Sequence, residues 1–103
     1  MKVVWTEQAE EALNKTVTFI HDEFGYNAAR RYVKSVYNVG NLLASNPQLG
    51  HLEPLLADLT IDYRSIVVNR LSKLIYRIVD DRIEIADLWD TRREPQSQAS
   101  QVK

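Results

Sequence analysis

The side chains able to do chemistry crowd into the last third of the chain. Arg64, Lys73 and Arg77 precede the segment Trp89-Asp90-Thr91-Arg92-Arg93, where two adjacent arginines close a strand-like run. Guanidinium and ammonium groups gathered on one surface bind anions, either phosphates or the carboxylates of an acidic partner. Histidine would add proton transfer near neutral pH. His21 stands beside Asp22 and Glu23 with no partners at metal-ligand spacing, so it reads as a surface residue. His51 follows Gly50 in a loop and could reach a sheet face as a base. Asp87 and Asp90 flank Leu88-Trp89 on a strand and so point to opposite faces, which argues against a carboxylate pair. Asp87 is expected to pair with an arginine. Trp5 and Trp89 read as packing or sheet-edge anchors rather than base-stacking platforms. Arg30-Arg31 and Lys34 form a basic helix surface, solvated by default. Neither a metal nor a cofactor is expected.

The elements that must position these groups are legible from periodicity. Val3-Val4-Trp5 is β-rich and ends where Thr6 can cap a helix. Ala9, Ala12, Leu13, Thr16, Val17, Ile20 and Phe24 then recur in steps of three and four, one helical stripe that Gly25 stops. Glu7, Glu10 and Glu11 suit the positive end of that helix. A second stripe, Ala29, Tyr32, Val33, Val36, Val39, Gly40 and Leu43, runs to Asn46-Pro47, so the two helices form an antiparallel hairpin. Residues 47–60 read as a connecting loop with a helical turn near Leu55–Leu59. Three strands follow, Ile61–Val68, Leu71–Val79 and Arg82–Trp89, joined at Asn69-Arg70 and Asp80-Asp81. The expected fold is α+β: an N-terminal edge strand, a helical hairpin, and a three-stranded antiparallel meander packed on the helices. One domain spans 1–95, and 96–103 is a polar tail expected to be disordered.

Two-residue turns at both joints fix a register. Val79 then faces Arg82, Ile78 faces Ile83 and Tyr76 faces Ile85, an apolar face for the helices. The opposite face would carry Arg64, Lys73 and Arg77 among Ile66, Ile75, Ala86 and Leu88, a docking surface for a partner, the alternative being that the 47–60 loop or the tail covers it. A slip of one residue would exchange the faces.

Composition narrows the function classes. With 103 residues the chain holds one domain, and its net charge of −1 gives no overall field for nucleic acid. It has no cysteine, which suits a reducing cytoplasm and excludes a disulfide framework. No apolar run approaches the roughly 18 residues of a membrane span, and the first residues turn polar too early for a signal peptide.

In this order of elements, tyrosine-arginine at Tyr63-Arg64, "LIYRIVDD" from Leu74 and "DTRREP" ending at Pro95 resemble the RelE/ParE superfamily of type II toxins, over residues 2 to 95. The resemblance implies a cognate antitoxin whose acidic C-terminal segment would meet Arg64, Ile66, Lys73, Ile75, Arg77 and Leu88, with a toxin–antitoxin hetero-oligomer possible. It also implies one of two activities. RelE-like members cut messenger RNA on the ribosome, which would use Arg64, Lys73 and Arg92. ParE-like members bind and inhibit DNA gyrase without cutting RNA. Here Ile66 stands where RelE has a second lysine, and Thr91-Arg92 stands where YoeB-type nucleases carry histidine then tyrosine. Threonine and arginine do not readily transfer protons near neutral pH. The "WDTRREP" ending is similar to that of ParE-like chains, which makes Trp89, Arg92 and Arg93 a target-contact surface. The resemblance therefore implies a ParE-like toxin acting by binding. A RelE-like nuclease and a degenerate member retaining only antitoxin binding are the alternatives.

Overall fold

The computed structural model describes residues 1–91. Along them run β1 (Lys2–Trp5), α1 (Glu7–Phe24), α2 (Tyr26–Ser45), β2 (His51–Leu52), β3 (Arg64–Asn69), β4 (Ser72–Val79) and β5 (Arg82–Asp90), with a single 3-10 turn at Pro54–Leu56. The sheet order is β1-β5-β4-β3-β2. β1 lies parallel to β5 at one edge, and the remaining neighbours are antiparallel. The α+β architecture, the helical hairpin and the meander are as expected. The two-residue strand β2, drawn from the loop, is an addition. Arg92 and Arg93, and the tail from 96 to 103, lie outside the described residues.

Local chemistry explains the hairpin. The Thr6 hydroxyl accepts the Ala9 N–H at 3.1 Å, capping α1, and lies 3.2 Å from the Ala86 carbonyl, to which it donates. One residue thus ties the helix start to β5. Thr6→Ala is expected to cost about 1 kcal/mol in a urea melt, the usual worth of an N-cap. Gly25 serves both helices, ending α1 and starting α2 with φ 94°, a value that side chains disfavour. The predicted stripes form the core: Ala9, Leu13 and Ile20 from α1 and Ala29, Tyr32, Val36 and Leu43 from α2 bury against Leu74, Tyr76, Ile83, Ile85 and Leu88. Phe24, expected on the stripe, is exposed at the end of α1.

The register agrees with expectation from the Asp80-Asp81 turn back to Tyr76↔Ile85, with Asp80 in the left-handed region at φ 53°. Beyond that pair it departs. Ile75 faces Asp87 rather than Ala86, and Lys73 faces Trp89 rather than Leu88, because Ala86 is an extra residue bulged out of β5. At the other joint the turn residues are Arg70-Leu71, one later than expected. The Asn69 side chain accepts the Leu71 N–H at 2.8 Å, and Thr91 bonds back to Arg70 and Leu71, which fixes this turn. A second bulge between Val67 and Asn69 follows.

Candidate functional site

The two bulges redistribute the expected docking face. Arg64 pairs with Tyr76, Ile66 with Leu74 and Leu88 with Leu74, so all three lie on the helix-facing side of the sheet. Lys73, Ile75 and Arg77 stay on the outer side, where Asp87 and Trp89 join them. Arg64 and Lys73, expected together, are on opposite faces.

On the helix side, Arg64 donates through Nη1 to the Gly50 carbonyl at 2.7 Å. The Gly50 N–H donates to the Tyr76 hydroxyl at 2.9 Å, and that hydroxyl donates to the Pro47 carbonyl at 2.8 Å. Burial pushes the Tyr76 phenol up, against the pull of the Gly50 N–H and the Arg64 charge, so it stays protonated as a donor. This cluster fastens the 47–50 turn to the sheet.

The outer side is largely closed. Leu56 covers Ile75 and Trp89, with Leu55, Leu59 and Tyr63 packed around them. The loop that follows α2 is therefore a strap over the sheet, and Ile75 (0% exposed) presents nothing to a partner. Trp89, expected to contact a target, is 2% exposed and donates its indole N–H to Asp87 at 3.0 Å. Asp87 also accepts the Leu88 N–H and a Gln8 amide hydrogen, bonds that draw the start of α1 to the bulge. Lys73 lies 5.1 Å above the Trp89 ring, and its ammonium is 2.8 Å from Oε2 of Glu53. Glu53 is 3% exposed. Burial alone would raise its carboxyl pKa, but Lys73, the Ser65 hydroxyl and the Leu55 N–H together hold it below the ordinary range. Arg77 pairs with Glu84 at 2.9 Å on the half-buried remainder of this face.

Glu53 and Tyr76 were missed as partners in sequence. A carboxylate immediately before Pro54 in an apolar loop, LEPLL, is the signal that could have exposed the first. His51 is exposed on edge strand β2, opposite Ser65. Among the described residues, no group of His, Asp and Glu could hold a metal ion, and no helix is long and apolar enough to cross a membrane.

Comparisons bear on what this arrangement belongs to. A family model described as the ParE toxin of the type II toxin–antitoxin system parDE matches residues 3–95. Among solved structures, the chromosomal ParDE system of P. aeruginosa has a chain that superposes with a TM-score of 0.71 at 17% identity, covering 87% of this chain and 95% of that one. A YoeB/ParE toxin from Agrobacterium tumefaciens gives 0.58 at 22% identity, covering 87% and 98%. The YoeB dimer from Staphylococcus aureus gives 0.58 at 23% identity, covering 84% and 92%. At these identities the structural likenesses show the fold. No curated protein matches. The family match spans both helices and all five strands, and with it the residues that fasten strap and turn to the sheet: the chain belongs to the ParE toxin family of type II toxin–antitoxin systems.

Proposed function

We propose that this chain is a growth-arresting toxin that works by binding its target, with DNA gyrase the target that ParE-like chains imply, and that a cognate antitoxin holds it silent. Family membership implies the antitoxin. The observation that carries the binding mechanism is the dispersal of the groups a nuclease would need. Metal-free RNA cleavage requires a base, an acid and phosphate-binding cations around one phosphodiester. Arg64 faces the helix side and holds Gly50, whereas Lys73 faces outward and is engaged by Glu53 and Trp89. No histidine or tyrosine follows Trp89 in the sequence. These facts favour contact over catalysis.

The test uses the purified protein in two assays, gyrase supercoiling and a translating-ribosome assay that follows a reporter message. Inhibited supercoiling with an intact message is the expected result. Site-specific message cleavage would overturn the binding mechanism. Arg92→Ala/Arg93→Ala should weaken supercoiling inhibition about tenfold or more, the scale of losing charge-assisted contacts. Unchanged inhibition would remove both arginines from the target surface.

A further inference from the structure

Of the three residues expected to meet the target, Trp89 is buried, so a surface built on Arg92 and Arg93 has lost its expected neighbour. The chain leaves β5 through Thr91, and what Thr91 touches supplies another. Its N–H donates to the Leu71 carbonyl at 2.9 Å and its hydroxyl donates to the Arg70 carbonyl at 2.8 Å. The last described residue is thereby clasped to the turn between β3 and β4. Arg92 lies outside the described residues, but its peptide bond joins it to a residue bonded to Arg70.

The turn makes no use of the Arg70 side chain. Its bonds run through the Asn69 amide, the backbone of Arg70 and Leu71, and Thr91. The guanidinium is exposed, and no carboxylate among the described residues lies within ion-pair distance of it. The sheet's other cations are engaged: Arg64 with Gly50, Lys73 with Glu53 and Arg77 with Glu84. An exposed arginine is ordinarily just solvated. Arg70 differs in being clasped to the exit toward two more arginines.

This corner of the sheet is also firmly based. Ser72 pairs with Asp90, and its buried hydroxyl lies 2.6 Å from the Tyr32 phenol. Burial raises the Tyr32 phenol above its ordinary range, so it stays protonated and ties α2 to the start of β4. A cation carried on a fixed turn loses less freedom on binding than one on a loose loop.

We infer that Arg70 is a third arginine of the target surface, and that Thr91 is a positioning residue, holding the exit of β5 against the turn so that Arg70, Arg92 and Arg93 engage one acidic patch on the target protein. Guanidinium groups suit carboxylates because their planar fork donates two parallel bonds. Three arginines on a chain of net charge −1 make a poor grip on a nucleic-acid backbone. The inference rests on the binding mechanism proposed above and extends its surface onto the β3–β4 turn.

The probe is DNA gyrase, titrated with purified toxin in a supercoiling assay at physiological salt. Arg70→Glu should raise the half-inhibitory concentration about tenfold or more, and Arg70→Lys, which keeps charge without the fork, about threefold. Lys2→Glu makes the same charge change beside Arg82 at the far end of the sheet and should stay within about twofold of wild type. Thr91→Val should weaken inhibition about threefold and Thr91→Ser should restore it, a rescue that a packing role of the methyl would not give. Circular dichroism melts check that each variant folds. Arg70→Glu acting no more strongly than Lys2→Glu overturns the role of Arg70 and leaves the toxin reading intact, because the wild type still inhibits. Thr91→Val inhibiting like wild type, or Thr91→Ser failing to rescue, overturns the positioning role. A wild-type chain that leaves supercoiling unchanged defeats the binding mechanism and this surface with it. Wild-type binding of bare duplex DNA, lost in Arg70→Glu, would assign the arginines to phosphate and overturn the acidic patch.

Discussion

Gly50→Ala is expected to lower stability by about 3 kcal/mol, near the upper end for a single overpacking change. A Cβ on Gly50 would lie 2.6 Å from the Ser65 carbonyl oxygen and 2.9 Å from both Cε1 and the hydroxyl of Tyr76. Two of these atoms belong to a ring fixed by its own bonds, and the third is strand backbone, so nothing soft can give way. Relief would require Gly50 to withdraw, breaking its N–H bond to Tyr76 and its carbonyl bond from Arg64. For a domain of this size the melting temperature should fall by roughly 12–24 °C. Tyr76→Phe keeps the volume and deletes only the bonds to Gly50 and Pro47, so it should cost less, about 1–3 kcal/mol. A Gly50→Ala protein that melts within a few degrees of wild type would show that the 47–50 turn sits farther from the sheet. The same geometry changes how Arg64 variants must be read. Loss of toxicity at Arg64 reports a turn come loose unless the variant's melting curve is unchanged.

The helices were legible because each has one buried face, and period alone identifies such a face. Most of the stripe residues of α1 and α2 did enter the core. Phe24 did not, because Gly25 turns the chain away one residue later. The last hairpin was legible for a similar reason: Asp80-Asp81 is a turn on chemical grounds, and pairing steps outward from it as far as Tyr76↔Ile85. Past that point the register depends on Ala86, a small residue with no preference that marks a bulge. At the other joint Asn69 suits turn geometry and equally suits capping the turn that follows it, as its bond to Leu71 shows. The Ala86 bulge moves one strand segment to the other face, and at the other joint the bulge between Val67 and Asn69 does the same for β3. The displaced turn alone would have kept the faces. That is how Leu88, Ile66 and Arg64 came to be expected outside. One signal was available. Leu74-Ile75-Tyr76 places apolar side chains on both faces of β4, and alternation cannot leave one face of such a run in water. Something had to cover Ile75, and the 47–60 loop, the alternative to a partner together with the tail, does so through Leu56. The Glu53–Lys73 pair was less accessible, since it depends on where that loop crosses the sheet.

Lys73→Met should cost about 3 kcal/mol and also reverse the pH dependence that Glu53 contributes. Removing the ammonium leaves a nearly buried carboxylate with only the Ser65 hydroxyl and the Leu55 N–H to hold its charge. Breaking one side of a buried pair typically costs about 3–5 kcal/mol. The lower figure applies because Lys73 keeps 25% of its side-chain surface in water. Part of the cost is the cation's contact with Trp89. In the wild type the Glu53 carboxyl lies below its unfolded value of 4.5. Its contribution is therefore complete above that value and lost as pH falls through the lower, folded one. Without Lys73, burial dominates and raises the folded value. The native state then takes up a proton before the unfolded chain does, so this carboxyl destabilises at neutral pH and the penalty fades on acidification. Urea midpoints at about pH 7 and pH 5.5 separate the two cases: the Glu53 contribution is flat for wild type and rises toward pH 5.5 for Lys73→Met. Glu53→Gln/Lys73→Met, with no buried charge left to solvate, should recover most of the loss and remove this pH dependence. If Lys73→Met is as stable as wild type at neutral pH, the strap is not fastened by this pair, and Lys73 again becomes a cation free to act on a phosphate.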